Sequence, residues 1–138
     1  RSIAEEALRR AITLRGVYPI AHLELARLLA RKGDIENALA EYRVTQSLAP
    51  ADPTLHYEIG LYLMQNGRTE AAQLDLEESV RLAPNFSNAR WFLAQVYETQ
   101  GALDKAIEQI QKVIELNPDS QQAQDRLDEL QKKSEKKK

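Results

Sequence analysis

The chain has no cysteine, a single methionine, a single tryptophan and only 6% aromatic residues. Without thiols there is no disulfide framework and no thiolate metal site, and a cysteine-free domain suits oxidising and reducing compartments alike. No apolar run approaches the roughly 20 residues of a membrane-spanning helix, and no charged-then-apolar leader resembles a signal peptide. A soluble domain without direct membrane insertion is expected, with a cytoplasmic location favoured. The sequence starts at Arg1 without a methionine, which suggests a processed product or a piece of a longer protein, a parent with room for targeting or membrane segments.

An excess of either charge is also missing. The formal net charge of −2 and a pI near 5.8 give no global attraction to nucleic acid or acidic membranes, so neither is an expected partner. The balance is uneven along the chain: the last seven residues, KKSEKKK, carry +4, leaving −6 on residues 1–131. A lysine run at a chain end reads as a frayed, solubilising terminus.

Catalytic signatures are absent as well. Gly16, Gly33, Gly60, Gly67 and Gly101 build no phosphate-cradling loop, there is no Gly-x-Ser-x-Gly, and the acidic runs AEEA and DLEESV fit solvated helix faces. An enzyme is not expected, and no cofactor is implied.

What the sequence does contain is a period. SLAP, RLAP and ELNP end at Pro50, Pro84 and Pro118, equally spaced along the chain. Gly33, Gly67 and Gly101 keep that spacing, as do Ala38, Ala72 and Ala106, and the small residues Ala26, Gly60 and Ala94. Several independent residue classes on one period indicate a repeat architecture.

Each unit reads as two helices. In the third, Ala89, Leu93, Ala94 and Tyr97 share one apolar face, and Gly101 supplies the left-handed position that commonly ends a helix. A second helix begins near Asp104, places Ala106, Ile110 and Val113 on one side, and stops before Pro118. Pro53 after Asp52 suits a first helical position, and Ser120 after Asp119 offers another helix start. A helix pair this small cannot bury its apolar face alone, so neighbouring pairs must stack, with Ala26, Gly60 and Ala94 letting the two helices of a pair approach closely.

These motifs resemble the tetratricopeptide repeat: an aromatic, a Leu-Gly-like pair, a Tyr, then Ala, an aromatic and Pro. The resemblance implies an all-α, right-handed α-solenoid of antiparallel helix pairs over a single domain, residues 1–133. Within it, 1–18 is a half repeat, 19–52, 53–86 and 87–120 are full repeats, 121–133 is a closing helix, and 134–138 is a basic disordered tail. The chain departs from the family where a Trp often stands near the start of the first helix, having His22, His56 and Arg90 instead.

Trp91 and Phe92 are adjacent, and a narrow core stripe cannot hold both. Trp91 lies two residues before Leu93, about 160° from the core stripe, while Phe92 sits at its flank with Val96. Tyr57 and Leu23 occupy the equivalent positions one and two repeats earlier. In the family, first helices line a concave groove that holds a partner's peptide or helix. By resemblance the groove is lined by Leu23, Arg27 and Arg31, then Tyr57, Leu61 and Met64, then Asn88, Trp91, Gln95 and Glu98. Its floor is apolar, its basic end is at Arg27 and Arg31, and its polar end is near Gln95 and Glu98. The competing reading is that Trp91 serves packing alone.

Family members that grip acidic chaperone tails use a clamp of Lys, Asn and Arg. Leu23, Glu58 and Phe92 stand at those places here, which disfavours that ligand. His22 and His56 invite a metal hypothesis. Equivalent positions on packed helices lie roughly 10 Å apart, however, and no carboxylate cluster completes a site, so no metal is expected. At the N-terminal edge, Ala4, Leu8 and Ala11 lack the helix they would pack against, and weak homodimerisation through Leu8 is expected. The function these features indicate is a non-catalytic protein-interaction scaffold with an unidentified protein or peptide ligand. The alternative is a structural spacer or assembly module of a larger protein, making its contacts through the solenoid edges.

Overall fold

The computed structural model describes residues 2–15 and 19–137, with the backbone alone at 14 and 15. Gly16, the last residue of the half-repeat motif, and Lys138 of the basic tail lie outside the described residues. The described chain is helix and short turns without strands, the all-α repeat fold expected from the period. It divides into two compact units, Arg1–Asp52 and Pro53–Lys138. In repeat folds each pair touches only its neighbours, so apolar burial is built pair by pair.

The first unit contains α1 (Ile3–Arg15), α2 (Pro19–Arg31) and α3 (Ile35–Leu48). Helices α2 and α3 pack together, with Ala21, Leu25, Ala26 and Leu29 of α2 and Ala38 and Tyr42 of α3 all at most 3% exposed. Burying each leucine contributes on the order of 1.5–3 kcal/mol. Helix α1 packs on α2 and is tied by charge to the turn that follows it: Glu5, 4% exposed, accepts from Arg9 of its own helix at 3.0 Å and from Lys32 of that turn at 2.8 Å. The far side of α1 has no such cover, with Ile3 87% exposed and Ala4 and Ala7 also exposed.

The second unit contains α4 (Pro53–Gln65), α5 (Thr69–Leu82), α6 (Ser87–Thr99), α7 (Leu103–Leu116) and α8 (Gln121–Lys136). Helices α4 and α5 form one pair and α6 and α7 the next; α5 packs on α6, α7 on α8, and α4 also touches α6. Leu55, Ile59 and Leu63 of α4 and Leu76 of α5 are buried in the first pair, and Leu93, Val96 and Tyr97 of α6 and Ile110 of α7 in the second. At Gly60 the helices α4 and α5 approach closely: a Cβ there would lie 2.8 Å from Cγ of Leu76.

One turn recurs in both units. Gly33 has φ +80°, a conformation that costs glycine little, and it lets the amide of Asp34 reach the carbonyl of Leu29 at 3.0 Å. The bonds from Arg68 to Leu63 at 2.9 Å and from Ala102 to Tyr97 at 2.8 Å are its counterparts in the next two repeats.

Ser120 caps α8, its hydroxyl accepting from the amide of Ala123 at 3.2 Å. Ala123 and Leu130 are the buried residues of α8, and most of its remaining surface is polar. The helix continues to Lys136, beyond residue 133, the expected end of the closing helix. Lys133 and Lys136 fall in the last turn, where cations complement the helix dipole. A basic run that reads as a frayed terminus is thus also suited to a helix C-terminus.

Candidate functional site

Of the groove residues expected from the sequence, Leu23, Arg27 and Arg31 lie on α2 of the first unit. Leu23 is half-buried, Arg31 is exposed, and Arg27 donates to Glu24 one turn before it at 3.0 Å. The other seven lie on α4 and α6 of the second unit, where a cavity forms.

That cavity, of about 320 Å³, is lined by Tyr57 of α4, by Ser87, Asn88, Trp91 and Phe92 of α6, by Val113 of α7, and by Asn117, Ser120 and Gln122 around the α7–α8 turn. Tyr57, Asn88 and Trp91 are therefore brought together. Leu61 and Met64 are half-buried further along α4, and Gln95 is exposed on α6; none of the three lines the cavity.

The aromatic residues divide the work. Tyr57 is half-buried, with its ring centroid 4.8 Å from Phe86 and 6.1 Å from Phe92, tilted against both. Such pairs add about 0.5–1.5 kcal/mol beyond area burial, so Tyr57 and Phe92 join α4 to the α6 repeat as well as forming the cavity wall. Burial pushes the Tyr57 phenol above its ordinary pKa. Trp91 is half-buried on the same wall. It lies off the core stripe, whose members Ala89, Leu93 and Ala94 are at most 3% exposed.

Glu98, expected at the polar end of the groove, faces α8. Its carboxylate pairs with Arg126 and Lys133, both of α8, and only 12% of its side chain is exposed. Two cations from the closing helix outcompete solvent for it. Sequence reasoning misses the opposite wall, Asn117, Ser120 and Gln122, because it confines the groove to first helices. Asn117 donates from Nδ2 to the hydroxyl of Ser87 at 3.1 Å, bringing the α7–α8 turn onto the start of α6.

The two histidines are interhelical struts. His22 Nδ1 lies 2.6 Å from Glu41 and His56 Nδ1 lies 3.2 Å from Asp75, each pair 19 residues apart in sequence. Arg90 repeats the spacing with Gln109 at 2.8 Å. The position where the family often has a Trp thus carries a polar bond from first helix to second in all three repeats. Among the described residues no group of three His, Asp or Glu side chains is placed to hold a metal ion. Nor, among them, is any helix long and apolar enough to cross a membrane.

Comparison with known proteins agrees with this architecture. A family model described as Tetratricopeptide repeat matches residues 1–53 and 57–121. DnaJ homolog subfamily C member 3 of Mus musculus is 28% identical over 114 residues, 83% of this chain but 23% of its own length. The chain therefore spans about a quarter of that relative. Among solved structures, MamA superposes with a TM-score of 0.83 at 20% identity, covering 94% of this chain and 76% of MamA. The first repeat domain of Spaghetti (RPAP3), bound to the HSP90 peptide SRMEEVD, superposes with a TM-score of 0.72 at 18% identity, covering 83% of this chain and 90% of that one.

Proposed function

The chain belongs to the tetratricopeptide repeat family, and on that premise we propose that it is a non-catalytic protein-interaction module whose second unit holds a segment of a partner protein against Tyr57 and Trp91. The observation that carries this reading is the open cavity between α4, α6 and the α7–α8 turn. A tryptophan not needed by the apolar stripe forms one of its walls. Large amphipathic aromatics are enriched at the energetic centres of interfaces, where truncation costs about 2 kcal/mol or more. Repeat proteins present preformed surfaces of this kind, which lowers the ordering cost of binding.

The test is capture from a cell lysate by the chain and by its Trp91→Ser variant, with far-UV circular dichroism confirming equal helicity. Trp91 is the residue to change because Tyr57 is packed between Phe86 and Phe92 and its loss would disturb the fold. A partner retained by the parent and lost by the variant is the expected result. Identical captures, or none, would remove the cavity from consideration.

A second reading, contact through the N-terminal edge, is favoured by Ile3, which is 87% exposed on α1 with Ala4 and Ala7 beside it. It expects weak self-association in analytical ultracentrifugation that Leu8→Glu abolishes. A strict monomer at high concentration rules it out.

A further inference from the structure

The chemistry of the cavity wall narrows what the partner presents there, and this step rests on the reading just given. The lining is made of the rings of Tyr57, Trp91 and Phe92, amides including Asn88 and Gln122, two hydroxyls and Val113; among the described residues no charged side chain belongs to it. Arg90, one residue before Trp91, is committed elsewhere, its Nε on the carbonyl of Pro84 and its Nη1 on Gln109, both at 2.8 Å. A carboxylate or ammonium entering this wall would give up water without meeting an opposite charge.

The polar groups present are of another kind. A side-chain amide offers both donors and an acceptor, matching the N–H and C=O of a peptide backbone. Asn88 and Gln122 are exposed at the rim. The volume of about 320 Å³ is at the low end of the roughly 300–1,000 Å³ of ligand pockets, room for one large side chain and its flanking backbone.

We propose that the cavity takes an uncharged, extended segment of a partner protein, with one large apolar or aromatic side chain seated against Trp91 and Tyr57 and its backbone bonded by Asn88 and Gln122. An acidic peptide such as the one carried by the Spaghetti domain lacks the cations it would need here. The net −6 of residues 1–131 opposes such a ligand at longer range too.

The experiment uses the full chain and three degenerate nonapeptide libraries, all acetylated, amidated and free of tryptophan. One has Leu, Phe or Tyr at its centre among Ser, Thr, Asn and Gln, one is rich in Asp and Glu, and one is rich in Lys and Arg. Binding is read as retention on the immobilised chain and as a shift in emission of Trp91, the only tryptophan in the protein. The neutral library should bind about tenfold better than the acidic one, and Trp91→Ala should lose about tenfold. Asn88→Asp, an exposed first-turn position where an acid favours the helix, should keep the fold and weaken the neutral library. Trp91-dependent preference for the acidic or basic library overturns the inference and leaves the interaction reading standing. Retention of no library, or retention insensitive to both variants, overturns the reading and the inference together.

Discussion

Gly60 of α4 stands where a Cβ would come 2.8 Å from Cγ and 2.9 Å from Cδ2 of Leu76 on α5, closer than side chains pack. Leu76 is fully buried and has little room to retreat. Gly60→Leu should therefore destabilise the protein by about 1–3 kcal/mol despite leucine's better helix propensity. Urea unfolding followed by circular dichroism measures it. Adding Leu76→Ala should cost less in the Gly60→Leu background than alone, because the two side chains compete for one space. Strict additivity would show that the close approach is not what limits the site.

The strut between His56 and Asp75 makes a different prediction. Both residues are buried, 7% and 5% exposed, and the bond joins the two helices of the second full repeat. Asp75→Ala leaves a buried imidazole that has lost this bond and should cost about 1–3 kcal/mol. Replacing both by leucine should cost less than the sum of the two single changes, since each single change leaves the other polar group without this bond. A double-mutant cycle by chemical denaturation decides it.

That strut also shows what is legible in the sequence. The turns at Gly33, Gly67 and Gly101 and the close approach at Gly60 each depend on one residue type at one place, so spacing alone reveals them. The polar struts keep the repeat period too: His22 and Glu41, His56 and Asp75, and Arg90 and Gln109 share a separation of 19 residues. Their chemistry varies from repeat to repeat, however, and a pattern that matches residue types passes over a pairing conserved only in its geometry. Glu98 and Gln122 are beyond reach for another reason. Their environment is set by how α8 docks, which brings Lys133 to a residue 35 positions earlier, and no local pattern encodes that.

The docking of α8 is itself testable. Its buried apolar contribution is Ala123 and Leu130, and Arg126 and Lys133 clamp Glu98 between them. Glu98→Gln should weaken the attachment by about 1 kcal/mol, about fivefold in the amide protection of α8 measured by hydrogen exchange. Raising the salt concentration should narrow the difference between parent and variant, since these are partly exposed charges. A salt-independent loss would assign the effect to packing.

The attachment of α1 should respond to acid, and the sign follows from Glu5. Lys32, then Arg9, hydrogen-bond its carboxylate and hold its pKa at about 2, below the usual 4.5, against the opposing pull of burial. A carboxyl whose pKa is depressed by folding stabilises the folded state in its ionised form. That contribution is fully present above pH 4.5 and is lost as the pH falls from 4.5 towards 2. Amide protection in α1 should decline through that window in the parent chain. In Glu5→Gln it should start lower and change less, because the variant has no proton to gain there. Glu78, whose pKa is lowered first by its hydrogen bond to Arg81, titrates in the second unit and supplies the control. Glu78→Gln should leave the α1 profile as it is in the parent. Parallel acid profiles for the parent and Glu5→Gln would mean that apolar contact, and not this carboxylate, holds α1 in place.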